Sequence, residues 1–213
     1  QAVAYAIDRD AVSELVISGY GTKIGSHWPP VTPYYKDMTG LFPYNPEKAK
    51  KLLSEAGYPN GFEATIKLPV IYPYAARAGE VIADMLGQVG IKLNIEIVEW
   101  GVWLDRVFKQ KDFQLSMIGH AEAWDIGIYA NPNYYFQYDS QEFRDAYAKA
   151  LKAPNEAEKA KWFGRCQEII AEDAVNGFLF LTPSLSAMKV ELMGWWENYP
   201  TIALDCTEVW WKK

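Results

Sequence analysis

The amino-acid sequence predicts an α/β fold with a mainly parallel sheet flanked by helices. Three segments, 62–68, 91–98 and 113–118, are predicted as strands because apolar and polar residues alternate along them. Helical spacing of apolar residues separates the first two segments, and a short amphipathic segment separates the last two. This βαβαβ order is typical of parallel strands joined by right-handed crossovers, so the loops after the three strands should gather at one edge of the sheet.

The composition is that of a globular protein with an acidic balance. Half of the 213 residues are apolar, which is enough for a sizeable core, and the formal net charge is -6. The sequence holds no cluster of Lys and Arg that would follow a phosphate backbone, so nucleic acid is not a predicted partner. No apolar run approaches the ~20 residues of a membrane helix.

The part of the chain before the first predicted strand begins and ends with a predicted helix. Residues 1–18 are predicted as a helix that stops at Gly19 and begins without a capping residue, which suggests a chain cut from a longer one. An irregular loop rich in Pro, Trp and Tyr follows at 21–43. Asn45 then caps a second helix, with Pro46 at its first position.

The remaining elements follow in order. Apolar residues recur at helical spacing from Ala78 to Val89, and Gly90 ends this helix directly before the second strand. Helices are also predicted at 103–108, 141–152 and 156–173, the last two as cover for the sheet, and short strands at 178–181 and 203–211.

Cys166 and Cys206 are the two cysteines, too few for a disulfide framework. Cys166 shares a helical face with Trp162, Ile169 and Ile170, which favours a buried, unpaired thiol. A single bridge in an oxidising compartment is the alternative.

The segment after the third strand holds the main candidates for a ligand site: His120, Glu122, Trp124 and Asp125. A carboxylate among aromatic rings suits an ammonium group, because it adds charge-assisted hydrogen bonds to cation-π attraction. Each carboxylate could equally cap a turn or pair with a nearby base. His120 could donate to a ligand oxygen or be a satisfied histidine beneath the loop.

Other candidates lie in loops predicted at the same edge. Tyr74 and Arg77 follow the first strand, Trp100 follows the second, and Trp28 lies in the irregular loop. Arg77 could bind an anionic end of a ligand, or it could be a surface arginine without a binding role. Each tryptophan has burial in the core as its alternative.

The chain has 9 Trp and 14 Tyr, more than its core requires, which indicates a recognition surface and leaves open a short oligosaccharide as ligand, because sugar rings stack on Trp. His120, Glu122 and Asp125 have side chains of metal-ligand type, but the usual zinc spacings are absent. We therefore predict neither a metal site nor a cofactor.

Four phrases resemble the extracytoplasmic solute-binding proteins of ABC importers, in the dipeptide, oligopeptide and nickel group called family 5. They are QAVAYAIDRDAV at 1–12, YNPEKAKKLLSEAGYPNGF at 44–62, AGEVIADMLGQVGIKLNIEIVEW at 78–100 and EIIAEDAVNGFLF at 168–180. The resemblance implies one lobe of a type 2 periplasmic-binding-protein fold. Residues 1–213 would form the C-terminal lobe, with 200–213 returning toward a missing N-terminal lobe.

The same resemblance implies a function. The two lobes would close on a small solute outside the cytoplasmic membrane, in the periplasm or at the cell surface, and the loaded protein would dock on a membrane permease. Family members usually read Gly-Trp-x-Ala-Asp-Tyr after the third strand, where the acidic residue can hold a peptide amino terminus. Here Ala123 falls on that position. Glu122 or Asp125 would take the role, or the ligand has no amino terminus.

The resemblance therefore implies a receptor and not an enzyme. The alternative from a different class is a small α/β enzyme that uses His120 and a carboxylate as general base. Neither a nucleophile elbow nor a phosphate-binding glycine loop is found in the sequence, which disfavours that alternative.

Overall fold

The computed structural model describes residues 1–122, 124–196 and 205–212. The strands are β1 (Thr22–Lys23), β2 (Phe62–Pro69), β3 (Ile91–Val98), β4 (Leu115–Ser116), β5 (Phe180–Leu181), β6 (Leu192–Met193) and β7 (Trp210–Trp211). The α-helices are α1 (Ala2–Ala6), α2 (Arg9–Ile17), α3 (Pro46–Glu55), α4 (Pro73–Gly87), α5 (Trp100–Trp103), α6 (Gln141–Leu151) and α7 (Glu156–Glu172). A π-helix spans Leu104–Lys109 and a 3-10 helix spans Ile126–Ala130.

The parallel sheet has the strand order β3-β2-β4, which confirms the predicted βαβαβ arrangement. β2 and β3 pair along their whole length, whereas β4 is shorter than the predicted 113–118. The side-chain oxygen of Gln114 accepts the Thr65 amide at 2.8 Å, so a side chain replaces a backbone partner there. Gly90, at φ +92°, makes the turn between α4 and β3 in a conformation that favours glycine.

The predicted N-terminal helix is broken in two. Asp8 leaves the helical conformation and its carboxylate accepts the backbone amides of Asp10 and Ala11, so it caps α2. The predicted cap at Asn45 is confirmed, because its side chain accepts the amide of Lys48. Ser140 caps α6 by accepting the amide of Phe143.

Two separate hydrophobic clusters stabilise residues 1–182. The sheet cluster joins α1 to α4 with β2 and β3, and includes Ala6, Leu53, Leu68, Leu86 and Ile91. The helix-pair cluster joins α6 and α7 with the 3-10 helix and the irregular loop, and includes Trp28, Ile126, Tyr129, Phe143 and Ile170. The prediction that α6 and α7 cover the sheet was wrong, because their apolar faces bury one another and the loops instead.

A buried glutamine fastens the irregular loop to α7. The Gln167 side chain has no exposed surface, and its oxygen accepts from the Ser26 hydroxyl at 3.0 Å and the Lys36 amide at 3.1 Å. Its nitrogen donates to the carbonyls of Tyr34 at 2.6 Å and Phe163 at 3.2 Å. All of its hydrogen-bonding capacity is therefore satisfied, as burial of an amide requires.

The chain divides into two compact units, Gln1–Thr182 and Pro183–Lys213. In the second unit β6 pairs with β7 in antiparallel fashion. The predicted strand at 203–211 is thus confirmed at its end, while residues 203 and 204 lie outside the described part. Residues 200–202 and 213 also lie outside the described part, so the return of 200–213 toward another lobe stays a prediction. The assignment of 1–213 to a single lobe stays a prediction too.

Cys166 is buried and Cys206 is exposed, and both thiols are free. The favoured prediction for Cys166 is confirmed. Among the described residues, the helices are all too short or too polar to cross a membrane.

Candidate functional site

Two histidines and one carboxylate meet where the loop after β4 contacts the irregular loop. Asp125 accepts from His27 Nε2 at 2.9 Å through one oxygen and from His120 Nε2 at 2.7 Å through the other. The two imidazole rings lie 5.0 Å apart between centroids. The His27 side chain is 5% exposed, whereas His120 and Asp125 are 33% and 29% exposed, so the cluster opens to solvent on the His120 side.

A second set of hydrogen bonds orients the buried ring. An ionised carboxylate only accepts hydrogen bonds, so each Nε2 carries a proton in this arrangement. His27 Nδ1 lies 3.4 Å from the hydroxyl of Tyr129, which receives a hydrogen bond from the Asn176 amide at 2.6 Å. Burial lowers the pKa of His27, and the hydrogen bond to Asp125 opposes that effect. The neutral ring is therefore favoured, with Tyr129 as donor to Nδ1.

Glu122 and Trp124 are the exposed members of the predicted set. The Glu122 carboxylate is 70% exposed and lies 3.6 Å from His120 Nε2. Trp124 is 61% exposed, and its ring contacts Trp28 and Tyr34 in edge-to-face fashion at 6.1 and 6.3 Å. Ala123, which falls on the family's acidic position, lies outside the described residues.

The loops after β2 and β3 reach the same region, as the fold predicted. The Tyr72 hydroxyl donates to the carbonyl of Gly119 at 3.4 Å, and a Cβ at Gly119 would lie 2.8 Å from the Tyr74 hydroxyl, so only glycine fits easily. Trp100 stacks on Trp103 at 5.0 Å and meets Tyr72 edge-to-face at 6.3 Å. Burial raises the pKa of Tyr74 to about 12, so its phenol stays neutral.

Two of the predicted site residues, Trp28 and Arg77, are not part of the exposed loop surface. Trp28 is 1% exposed and packs against Tyr34 and Phe163 in the helix-pair cluster, so the structure gives it the core position that was its alternative. Arg77 is exposed on α4 and forms no ion pair with the described residues. Their contact with a ligand stays a prediction.

The clefts found among the described residues lie away from the predicted site residues, and His120, Glu122 and Trp124 are exposed. Two open clefts, of about 430 and 460 Å³, lie beside α7 and between α2 and α4. Neither is lined by any residue of the predicted site. A solute at the loops would therefore need a second wall to be enclosed.

Sequence reasoning missed His27, which is not among the predicted site residues. A signal was available, since the chain has only 2 histidines and one of them was already a candidate. Tyr129 and Asn176, which orient His27, carry no local pattern that would mark them.

A parallel sheet whose strand-end loops present aromatic and carboxylate side chains defines, as a class, an α/β ligand-binding protein. The family model described as bacterial extracellular solute-binding proteins, family 5 Middle, matches residues 1–146, and the chain belongs to that family. The resemblance of the four phrases is thereby confirmed. The predicted extracytoplasmic location is confirmed too, because the family is one of extracellular proteins.

Curated relatives agree with this assignment. The chain is 32% identical over 188 residues to heme-binding protein A of Haemophilus influenzae, a match of 82% of this chain and 34% of the relative. It is 30% identical over 216 residues to glutathione-binding protein GsiB of Escherichia coli K12, covering 92% of this chain and 41% of the relative. The chain thus spans between a third and a half of the length of these relatives.

A solved structure supports the fold. The periplasmic binding protein DppA from Helicobacter pylori, in complex with the peptide STSA, superposes with a TM-score of 0.73 at 26% identity, over 84% of this chain and 37% of that one. The predicted α/β fold of type 2 periplasmic binding proteins is confirmed. These family and structural neighbours are binding proteins and not enzymes.

Proposed function

We propose that this chain is the solute-binding lobe of the substrate-binding component of an ABC importer. Together with a second lobe it captures a peptide or a similar small solute outside the cytoplasmic membrane and delivers it to the membrane permease. It releases that solute unchanged and catalyses no reaction. Family membership supports the receptor class, and relatives that bind glutathione or a peptide support the class of solute.

The observation that carries the proposal is the meeting of three loops on one open surface. The irregular loop reaches the loop after β4 through His27 and Asp125, and the loop after β2 reaches it through Tyr72 and Gly119. These loops present an exposed indole, partly exposed phenols and an exposed carboxylate at the carboxyl ends of parallel strands. Ligands of open α/β sheets bind at that edge.

Within this surface we assign the ammonium of the solute to Glu122 and not to Asp125. Both oxygens of Asp125 already accept hydrogen bonds from imidazole rings. Among the described residues, Glu122 accepts a 3.3 Å hydrogen bond from the Ala121 amide, lies 3.6 Å from His120 Nε2 and remains 70% exposed. Trp124 beside it adds an aromatic face for cation-π contact.

The test is calorimetry of the full-length protein with a library of short peptides, after native mass spectrometry of the protein as purified has weighed any solute it carries. In Glu122→Gln, affinity for a peptide with a free amino terminus should fall by about tenfold or more, which corresponds to ~1.4 kcal/mol. Amino-terminal acetylation of the peptide should produce the same loss in the wild type and little further loss in the variant.

Glu47→Gln is the matched control, because Glu47 is an exposed carboxylate on α3, away from the three loops. The control should bind like the wild type. Peptide binding that is unchanged in Glu122→Gln would refute the role of Glu122. Conversion of the peptide to a product, or binding of oligosaccharides instead of peptides, would refute the proposed function itself.

A further inference from the structure

The cluster of His27, His120 and Asp125 holds three metal-ligand side chains whose mutual hydrogen bonds could be exchanged for bonds to one ion. Two imidazole nitrogens and a carboxylate face one another, and one ligand atom from each residue lies within 4.8 Å of those from the other two. His27 and Asp125 are 98 positions apart in sequence, so the fold brings the three groups together. Glu122, at 3.6 Å from His120 Nε2, is a further oxygen donor at the open side.

We propose that His27 Nε2, His120 Nε2 and the Asp125 carboxylate bind a divalent transition-metal ion. Two imidazoles and one carboxylate are the ligand types of zinc and its neighbours, and they do not suit calcium or magnesium, which take oxygen ligands. This inference departs from the sequence-based expectation of no metal site. It does not rest on the proposed function, since its three metal ligands are side chains of this chain.

The distances fit an ion after a small movement. Tetrahedral coordination at the usual zinc bond lengths separates ligand atoms by about 3.4 Å. The present separations of 2.9 Å and 2.7 Å between Asp125 and the two imidazole nitrogens would each open by several tenths of an ångström. His120 and Asp125 are partly exposed and can make that shift, while His27 stays fixed in the core.

The second ring nitrogen of His27, Nδ1, has a hydrogen-bond partner of the kind that orients metal-ligating histidines, the Tyr129 hydroxyl. Coordination through Nε2 requires the proton of each neutral ring to lie on Nδ1, where it is donated to an outer acceptor. For His27 that acceptor is the Tyr129 hydroxyl, 3.4 Å away, which Asn176 orients in turn. The ring moves its proton from Nε2 to Nδ1, so a neutral histidine binds the ion without a net change in its own protonation.

The exposed side of the cluster gives the ion a way in and a free position. Three protein ligands leave a fourth place in a tetrahedron, which is the arrangement of metal sites that accept an outside group. His120 and Glu122 border that place. A solute carboxylate or a water molecule could fill it.

The presence of only two histidines makes a direct test possible. The intact 213-residue chain is produced without an affinity tag, treated with a chelator and titrated with Cu²⁺, and nitrogen couplings in its paramagnetic resonance spectrum count the coordinated imidazoles. Two imidazoles are expected in the wild type and one in His120→Gln. Absence of imidazole couplings, or a single one in the wild type, would overturn the site.

Zn²⁺ affinity gives the second measurement. His120→Gln should weaken Zn²⁺ binding by at least ~10–100-fold, the loss that removal of even an outer partner causes. Asp125→Asn should weaken it as well, whereas Glu47→Gln on α3 should not. The circular dichroism spectrum of each variant is the control for folding. Unchanged Zn²⁺ affinity in folded His120→Gln would refute the inference.

Discussion

Replacement of Gln167 by methionine should destabilise the protein far more than the size of the change suggests. Methionine has a similar length and fits the same space, but it removes every hydrogen bond of the amide. The Ser26 hydroxyl, the Lys36 amide and the Tyr34 carbonyl then lose the partner that Gln167 supplies. The Phe163 carbonyl keeps its partner within the helix.

The magnitude follows from these three groups. A buried polar group left without a partner costs about 1–3 kcal/mol, and the cost is smaller for the Lys36 amide and the Tyr34 carbonyl, which are only part-buried. We expect a loss of about 3–5 kcal/mol in the free energy of unfolding, or roughly 6–20 °C in melting temperature for a chain of this length. The assay is urea and thermal unfolding followed by helical circular dichroism.

Gln88→Met is the matched control, because Gln88 is exposed at the end of α4 and its amide bonds only to Asp84. It should change stability by less than about 0.5 kcal/mol. If Gln167→Met melts together with the wild type and with this control, the claim that Gln167 fastens the irregular loop is refuted. The nuclear magnetic resonance signals of the His27 ring should also move in Gln167→Met, since the same loop carries His27.

Two further predictions concern local features of the fold. Asn45→Ala should lower the free energy of unfolding by about 1 kcal/mol, because the Lys48 amide loses its cap, and a urea midpoint equal to that of the wild type would contradict this. A thiol reagent should modify Cys206 at once and Cys166 only after unfolding, because Cys206 is exposed and burial raises the pKa of Cys166 to about 12. Two thiols that react rapidly in the native protein would rule out this assignment.

Local signals in the sequence were sufficient for most of the elements. Asn45 and Pro46 mark the start of α3 unambiguously, and the alternation within the predicted strands 62–68 and 91–98 locates β2 and β3 almost to the residue. The pattern at 113–118 overstates β4, because Gln114 bonds the neighbouring strand with its side chain, which hydrophobic spacing does not reveal.

Tertiary contacts explain the errors. Asp8 follows the apolar segment of α1, and the capping of α2 by its carboxylate competes with continuation of α1. The apolar faces of α6 and α7 predict that both helices are packed, but not against which partner. In the structure they pack against each other. His27 and Asp125 are 98 positions apart in sequence, so no local pattern could have predicted their hydrogen bond.

The division between the sheet cluster and the helix-pair cluster has a consequence for changing which solute is bound. Tyr72 and Tyr74 rest on the sheet cluster, whereas Trp28 and Tyr129, the neighbours of His27, belong to the helix-pair cluster. Substitutions in the apolar faces of α6 and α7 would therefore shift one side of the candidate site against the other without replacing any of the candidate site residues. A library aimed at new specificity should randomise these two helices as well as the loops, since fine adjustment of spacing is available there while the contact chemistry is preserved.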